Sequence, residues 1–111
     1  MRSLTVGDAF RSYVLDQFVE LGEVVPKAMF GGVGLYHAGV FFGILASDRL
    51  YLRVDAQSLP SYRAARSKPF TPFRDRPGSK KYYEVPLDVL ESPIELAAWA
   101  RRSIEAARRA T

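Results

Sequence analysis

Cysteine is absent from this chain, and the absence removes several chemistries at once. No disulfide, thiolate nucleophile or cysteine-ligated zinc is possible, so stability has to come from core packing. Long apolar runs are missing too. The longest, Ala38 to Ala46, is about half the length that crosses a hydrocarbon core, and no membrane association is expected. Asp8 and Arg11 fall where a secretory signal needs an unbroken apolar stretch, which makes the cytoplasm the expected compartment. Internal repeats and low-complexity tracts are lacking as well.

What is present fits one ordinary globular unit. The chain has 111 residues, of which 48% are apolar and 25% charged. That length buries roughly two thirds of the unfolded surface in one core and is too short for two, so residues 1–111 are read as a single domain. The net charge of +4 is unevenly spread. Residues 1–59 carry five basic and six acidic side chains, and residues 82–111 carry four and five. The excess therefore lies between Pro60 and Lys81, where Arg63, Arg66, Lys68, Arg74, Arg76, Lys80 and Lys81 face a single acid, Asp75. Such clustering predicts a local positive field.

Residues Asp8 to Leu21 set Ala9, Phe10, Tyr13, Val14, Phe18 and Leu21 at spacings of three and four, the stripe of an amphipathic helix. Gly22 supplies its stop. From Val24 to Asp55 the period becomes that of strands. Leu50, Leu52 and Val54 alternate with Arg49, Tyr51 and Arg53, and hairpin loops at His37–Gly39 and Ala46–Asp48 divide the stretch into a three-stranded meander. The middle strand, Val40 to Ala46, does not alternate. Val40, Phe42 and Ile44 are expected on one face and Phe41, Gly43 and Leu45 on the other, all apolar, so both faces need cover.

Ser58 to Arg66 reads as a short helix, followed by strands at Phe70–Phe73 and Lys80–Val85 joined through Asp75, Pro77, Gly78 and Ser79. Pro69 and Pro72 lack ladder donors and place the first of these strands at a sheet edge. The last helix is signalled by Ser92 as cap, Pro93 at the first helical position and Glu95 completing a capping box. Leu96, Ala97, Trp99, Ala100, Ile104 and Ala107 form its apolar side. Glu105 is spaced to pair with Arg101 and Arg109. The order is α-β-β-β-α-β-β-α, an α+β arrangement with a five-stranded antiparallel sheet.

Four segments carry a family resemblance: Met29-Phe30-Gly31-Gly32-Val33-Gly34-Leu35-Tyr36, Leu50-Tyr51-Leu52-Arg53-Val54-Asp55, Tyr82-Tyr83-Glu84-Val85-Pro86 and Trp99-Ala100-Arg101-Arg102. Together they resemble the TfoX N-terminal domain family over about Phe10 to Ala107. The resemblance implies a two-layer α+β fold akin to secretion-chaperone-like binding domains. It also implies kinship with transcriptional regulators of competence, whose longer members add a C-terminal helical domain and act with the cyclic-AMP receptor protein. This chain is expected to be a stand-alone member.

No motif demands a cofactor. Gly31, Gly32 and Gly34 are followed by neither a Lys-Ser/Thr pair nor a helix, so phosphate-loop and dinucleotide readings fail, and a bulge or close backbone approach explains them. His37, the sole histidine, sits in a hairpin loop with no serine or carboxylate at a fixed local spacing, which makes it a solvated turn residue rather than a base or metal ligand. The basic residues interleave with Tyr62, Phe70, Phe73, Tyr82 and Tyr83, a combination able to hold nucleic acid through phosphate contacts and stacking. Tyr82, Tyr83 and Glu84 form a patch from which one tyrosine faces the core and the other meets a protein partner. The expected function is non-catalytic protein binding, with a homodimer covering the second face of the middle strand. Nucleic-acid binding through the 60–81 segment is the first alternative, and an unrecognised enzyme the second.

Overall fold

The computed structural model describes residues 4–72 and 79–110. Helix α1 spans Asp8–Gln17 and runs into a 3-10 turn, Phe18–Glu20. Its apolar stripe buries Val14 and Phe18 and half-buries Phe10, but Tyr13 points outward and Leu15 takes its place at the core. Gly22 follows at φ +105, a left-handed stop that glycine adopts without a Cβ clash.

Six strands then form one sheet: β1 (Val25–Met29), β2 (Gly32–His37), β3 (Val40–Ala46), β4 (Arg49–Arg53), β5 (Pro69–Phe70) and β6 (Ser79–Glu84). Their spatial order is β1-β2-β3-β4-β6-β5 and every neighbouring pair is antiparallel. The sequence predicted five. The extra strand arises because the first expected strand folds back on itself at Phe30 (φ 50) and Gly31 (φ 84). Two consecutive positive φ values build the tight turn whose twist suits a hairpin. Phenylalanine is not a residue that announces such a turn.

The three glycines of this stretch have separate structural tasks. Gly31 occupies the turn, and a Cβ on Gly32 would lie 2.6 Å from the Leu45 carbonyl, so Gly32 permits close backbone approach across β2 and β3. Gly34 is roofed by the rings of Phe41 and Tyr36 and the sulfur of Met29, 3.2 to 3.6 Å from where its Cβ would be.

The facing of β3 also departs from simple alternation. Leu35 pairs with Gly43 but Tyr36 pairs with Phe41, so β3 carries one extra residue, a bulge at Phe42 and Gly43. Beyond it the parity reverses: Val40, Phe42 and Leu45 join the inner core, and Phe41, Ile44 and Ala46 lie on the other side. Ile44 and Leu45 thus exchange the faces expected from strict period two, as a bulge requires. Gly43 fits there because a side chain would meet Leu52 Cδ2 at 3.0 Å.

Helix α2 (Leu59–Ala64), a four-residue turn α3 (Leu87–Leu90) and the long α4 (Pro93–Arg109) complete the chain. Leu96, Ala100 and Ile104 of α4, with Val14 and Phe18, close over Leu35, Phe42, Leu45, Leu50 and Leu52. Phe18 meets Phe42 edge to face at 5.8 Å, a favoured aromatic geometry. The result is an α+β fold with the helices on one sheet face.

Ser92 caps α4 through its hydroxyl, which accepts from the Glu95 amide at 3.3 Å. The return half of the capping box is not made, because α3 brings the Val89 carbonyl to the Ser92 amide at 3.0 Å. The expected Glu105 pairs change as well. Glu105 binds Arg108, Arg109 binds Asp55, and Arg101 donates to the Glu20 carbonyl. Asp55 lies where β4 ends beside the end of α4, so tertiary proximity overrides helical spacing.

Candidate functional site

The sheet has a second face, turned away from the helices. Alternation and cross-strand register place Lys27 and Met29 of β1, Tyr36 of β2, Phe41 and Ile44 of β3, Tyr51 and Arg53 of β4, and Tyr82 and Glu84 of β6 on it. Its apolar members form a second, smaller cluster. Ile44, Ala46 and Tyr82 are buried at its centre, with Leu4, Met29, Phe41, Tyr51 and Phe70 packed around them. Part of the cover comes from the chain's own start, where the Leu4 carbonyl accepts from the Ser47 amide and the Gly7 amide donates to Asp48 Oδ1 at 2.8 Å.

Aromatic rings run across this face. Tyr36 and Phe41 lie 5.2 Å apart, Phe41 and Tyr82 5.7 Å, and Tyr51 and Phe70 5.0 Å. Cations sit over two of them: Lys27 Nζ is 4.8 Å from the Tyr36 centroid, and the Arg53 guanidinium is 5.8 Å from that of Tyr82. Such contacts hold a charge against an apolar surface without a carboxylate partner. Glu84 accepts from Arg49 at 3.0 and 3.2 Å. Burial pushes the Tyr82 hydroxyl above its ordinary pKa, against the pull of Arg53, so Tyr82 stays neutral at physiological pH and acts as a hydrogen-bonding rather than ionic group.

A groove of about 410 Å³ opens on this face. Leu4, Met29, Phe30, Phe41, Ile44 and Phe70 line it, with Gly32 and Pro72, and no polar residue contributes among the described residues. Phe30, at the turn between β1 and β2, is 89% exposed. Apolar concavities of this kind are where apolar groups of ligands or partners can be buried.

The basic segment expected from sequence is displayed elsewhere. Arg63 and Arg66 are exposed on α2 and just after it, Lys68 leads into β5, and Lys80 and Lys81 are exposed on β6. Arg74 and Arg76 lie outside the described residues, as does Phe73. The interleaved aromatics do not stand free beside these charges. Tyr62 is 1% exposed, packed against Trp99 at 4.6 Å and Tyr83 at 6.2 Å, and burial raises its pKa to about 12 despite Ser103 and Arg102. Of the tyrosine pair, Tyr83 faces the helices and is half-buried, while Tyr82 faces outward yet is 8% exposed because Phe41 and Arg53 cover it. Glu84 is half-buried in its pair with Arg49.

His37 closes β2, and its Nδ1 donates to the Glu23 carbonyl at 2.8 Å. It lines a depression with Glu105, Arg101 and Arg108, but Glu105 is engaged by Arg108. Among the described residues no three His, Asp or Glu side chains gather as a metal site, and no helix is long and apolar enough to cross a membrane.

Sequence reasoning identified the doubly apolar β3 and put Arg53 on the polar side of β4, but not Phe30 or Lys27 as surface features. The signal available was a glycine after Phe30 between two apolar runs. Set beside known proteins, the chain matches the TfoX N-terminal domain over residues 16–107. No curated protein matches it.

Proposed function

The chain belongs to the TfoX N-terminal domain family, and from that premise we propose that it is a non-catalytic cytoplasmic regulatory domain that binds a protein partner through its outer sheet face. The observation that carries this reading is the apolar groove beside Phe30. Exposed aromatics next to well-packed pockets are the usual energetic centres of protein interfaces. The hollows around Asp55 and beside His37 are lined by polar groups engaged in internal pairs: Arg109 with Asp55, Arg102 with Ser58 and Ser61, and Arg108 with Glu105.

Site-directed photo-crosslinking in the native host tests the reading. A photoreactive residue at Phe70 should yield a discrete protein adduct, whereas one at Glu95 on the helical face should not. Equal labelling from both positions, or none from Phe70, would overturn it.

A second reading keeps one observation of its own. Arg63, Arg66, Lys68, Lys80 and Lys81 are all exposed, which supports sequence-independent contact with phosphates. Because Tyr62 and Tyr82 are buried and Phe70 and Tyr83 half-buried, the described residues offer little platform for base stacking, and binding there would be mainly electrostatic. A gel shift at low salt that vanishes when these five become glutamine favours this reading, and the absence of any shift removes it.

A further inference from the structure

Phe41 stands between two hollows of opposite character. On one side is the apolar groove, and on the other a hollow of about 350 Å³ lined by Gly39, Val40, Arg53, Tyr82, Ala107 and Arg108. The two share the Phe41 ring and little else. We propose that together they form one bipartite docking site for an acidic amphipathic segment of a partner protein, with apolar side chains in the groove and a carboxylate in the cationic hollow. This rests on the protein-binding reading above and names the chemistry of the partner.

Charge decides the occupant. Lys27, Arg49, Arg53 and Lys80 are the cations that register and alternation put on this face. The one carboxylate among its described strand residues, Glu84, is already held by Arg49. Lys27 and Arg53 have aromatic rings beneath them, and Arg53 Nε is buried with no hydrogen-bond partner among the described residues. The residue as a whole is only half-buried, a buried N–H without a partner is costly, and an incoming carboxylate gives this cation charge-assisted hydrogen bonds. A second copy of this chain, the occupant expected from sequence, would bring the same cations against each other. Like charges across an interface weaken it.

Phe30 supplies an independent pointer. A bulky residue at φ 50 sits in a backbone region where glycine, asparagine and aspartate are the normal occupants. Strain of this kind persists where the side chain has a task, and here the side chain is almost wholly exposed at the rim of the groove. Edge pairing through β1 is a poor alternative. Met29 and Gly32 flank the two-residue turn, so Pro26 lies at a position whose backbone faces the free edge, where it has no amide hydrogen to offer.

The test is selection of a random dodecapeptide library on the purified protein, followed by titration of the selected peptides. Peptides carrying both Asp or Glu and large apolar residues are expected to be enriched. Their affinity should drop about fivefold with Arg53→Gln, as for a partly screened charge pair. Phe30→Asn should weaken them by about tenfold or more, as for an interface anchor, in a protein that is no less stable. Exchange of the peptide carboxylates for amides should abolish the Arg53 effect. Enrichment of neutral or basic peptides, no enrichment, or acidic peptides indifferent to Arg53→Gln would overturn the proposal, as would a groove occluded by self-association. If the peptides fail while crosslinking from Phe70 still yields an adduct, only the acidic character of the partner is lost, and if both fail the protein-binding reading falls with it.

Discussion

Phe41 and Phe42 are neighbours in the chain and sit on opposite faces of the same strand, so they compare the two halves of the molecule with the residue type held fixed. Phe42 is fully buried beneath α1 and α4 against Phe18. Phe41 is half-buried among Tyr36, Tyr82 and the groove. The inner face is closed by its own helices and serves stability. The outer face is apolar enough to want cover but, among the described residues, receives from outside the sheet the segment around Leu4, and its charges are mostly of one sign. Under the binding reading proposed above, this second face is the one that would take a partner.

The largest expected effect breaks this contrast if it is mistaken. Phe42→Ala should destabilise by about 3–5 kcal/mol, the range for a buried phenylalanine, and Phe41→Ala by about 1–2 kcal/mol because less of its area leaves water. Urea unfolding of both variants measures the difference. A reversal of the order would show that the outer cluster is the principal core.

Alkaline pH sharpens the same contrast through the tyrosines. Tyr62 on the helical side has its pKa raised from 10.0 to about 12 by burial. The folded state therefore holds the phenolic proton more tightly than the unfolded state. Its contribution is fully present below pH 10 and is lost as pH climbs from there through about 12, roughly 2–3 kcal/mol in all. Tyr82 is raised for the same reason and adds in the same direction. Stability measured against pH should fall across that window, and Tyr62→Phe should flatten the fall. An unchanged slope in Tyr62→Phe would remove this tyrosine from the alkaline transition.

Gly32→Ala comes next, at about 1–3 kcal/mol for overpacking, since the new Cβ meets a backbone carbonyl that cannot swing aside. Calorimetric melting checks it. Gly39→Ala provides the control for crowding, because its Cβ would meet nothing within 4 Å and only its φ of +80 is at issue.

Much of the fold could be read in advance, because periodicity and end signals are local. The stripe of α1, the Ser92 cap of α4 and the edge placement of the proline-bearing β5 all follow from neighbours in sequence. The sixth strand could not be read, since a left-handed phenylalanine leaves no propensity signal. Nor could the faces of β3 beyond its bulge, because Phe42 and Gly43 share a side only by virtue of how β2 pairs with them. The outer face was legible as a need, from an apolar strand without polar alternation. Its chemistry was not, for Lys27, Arg53 and Phe41 are far apart along the chain and meet only through register.

Phe30→Asn has the smallest expected effect on stability and the most telling sign. Asparagine tolerates a left-handed φ that phenylalanine resists, and a side chain 89% exposed gives up almost no burial on removal. The variant should therefore melt a little higher, by about 0.5–1 kcal/mol of relieved backbone strain. The inner-face phenylalanine Phe42 would lose stability on any comparable change. A gain in melting temperature for Phe30→Asn places Phe30 outside the core in energetic terms, leaving binding as the reason for its presence in the turn, while a loss of 1 kcal/mol or more would return it to a structural role and take the strain argument away from the outer face.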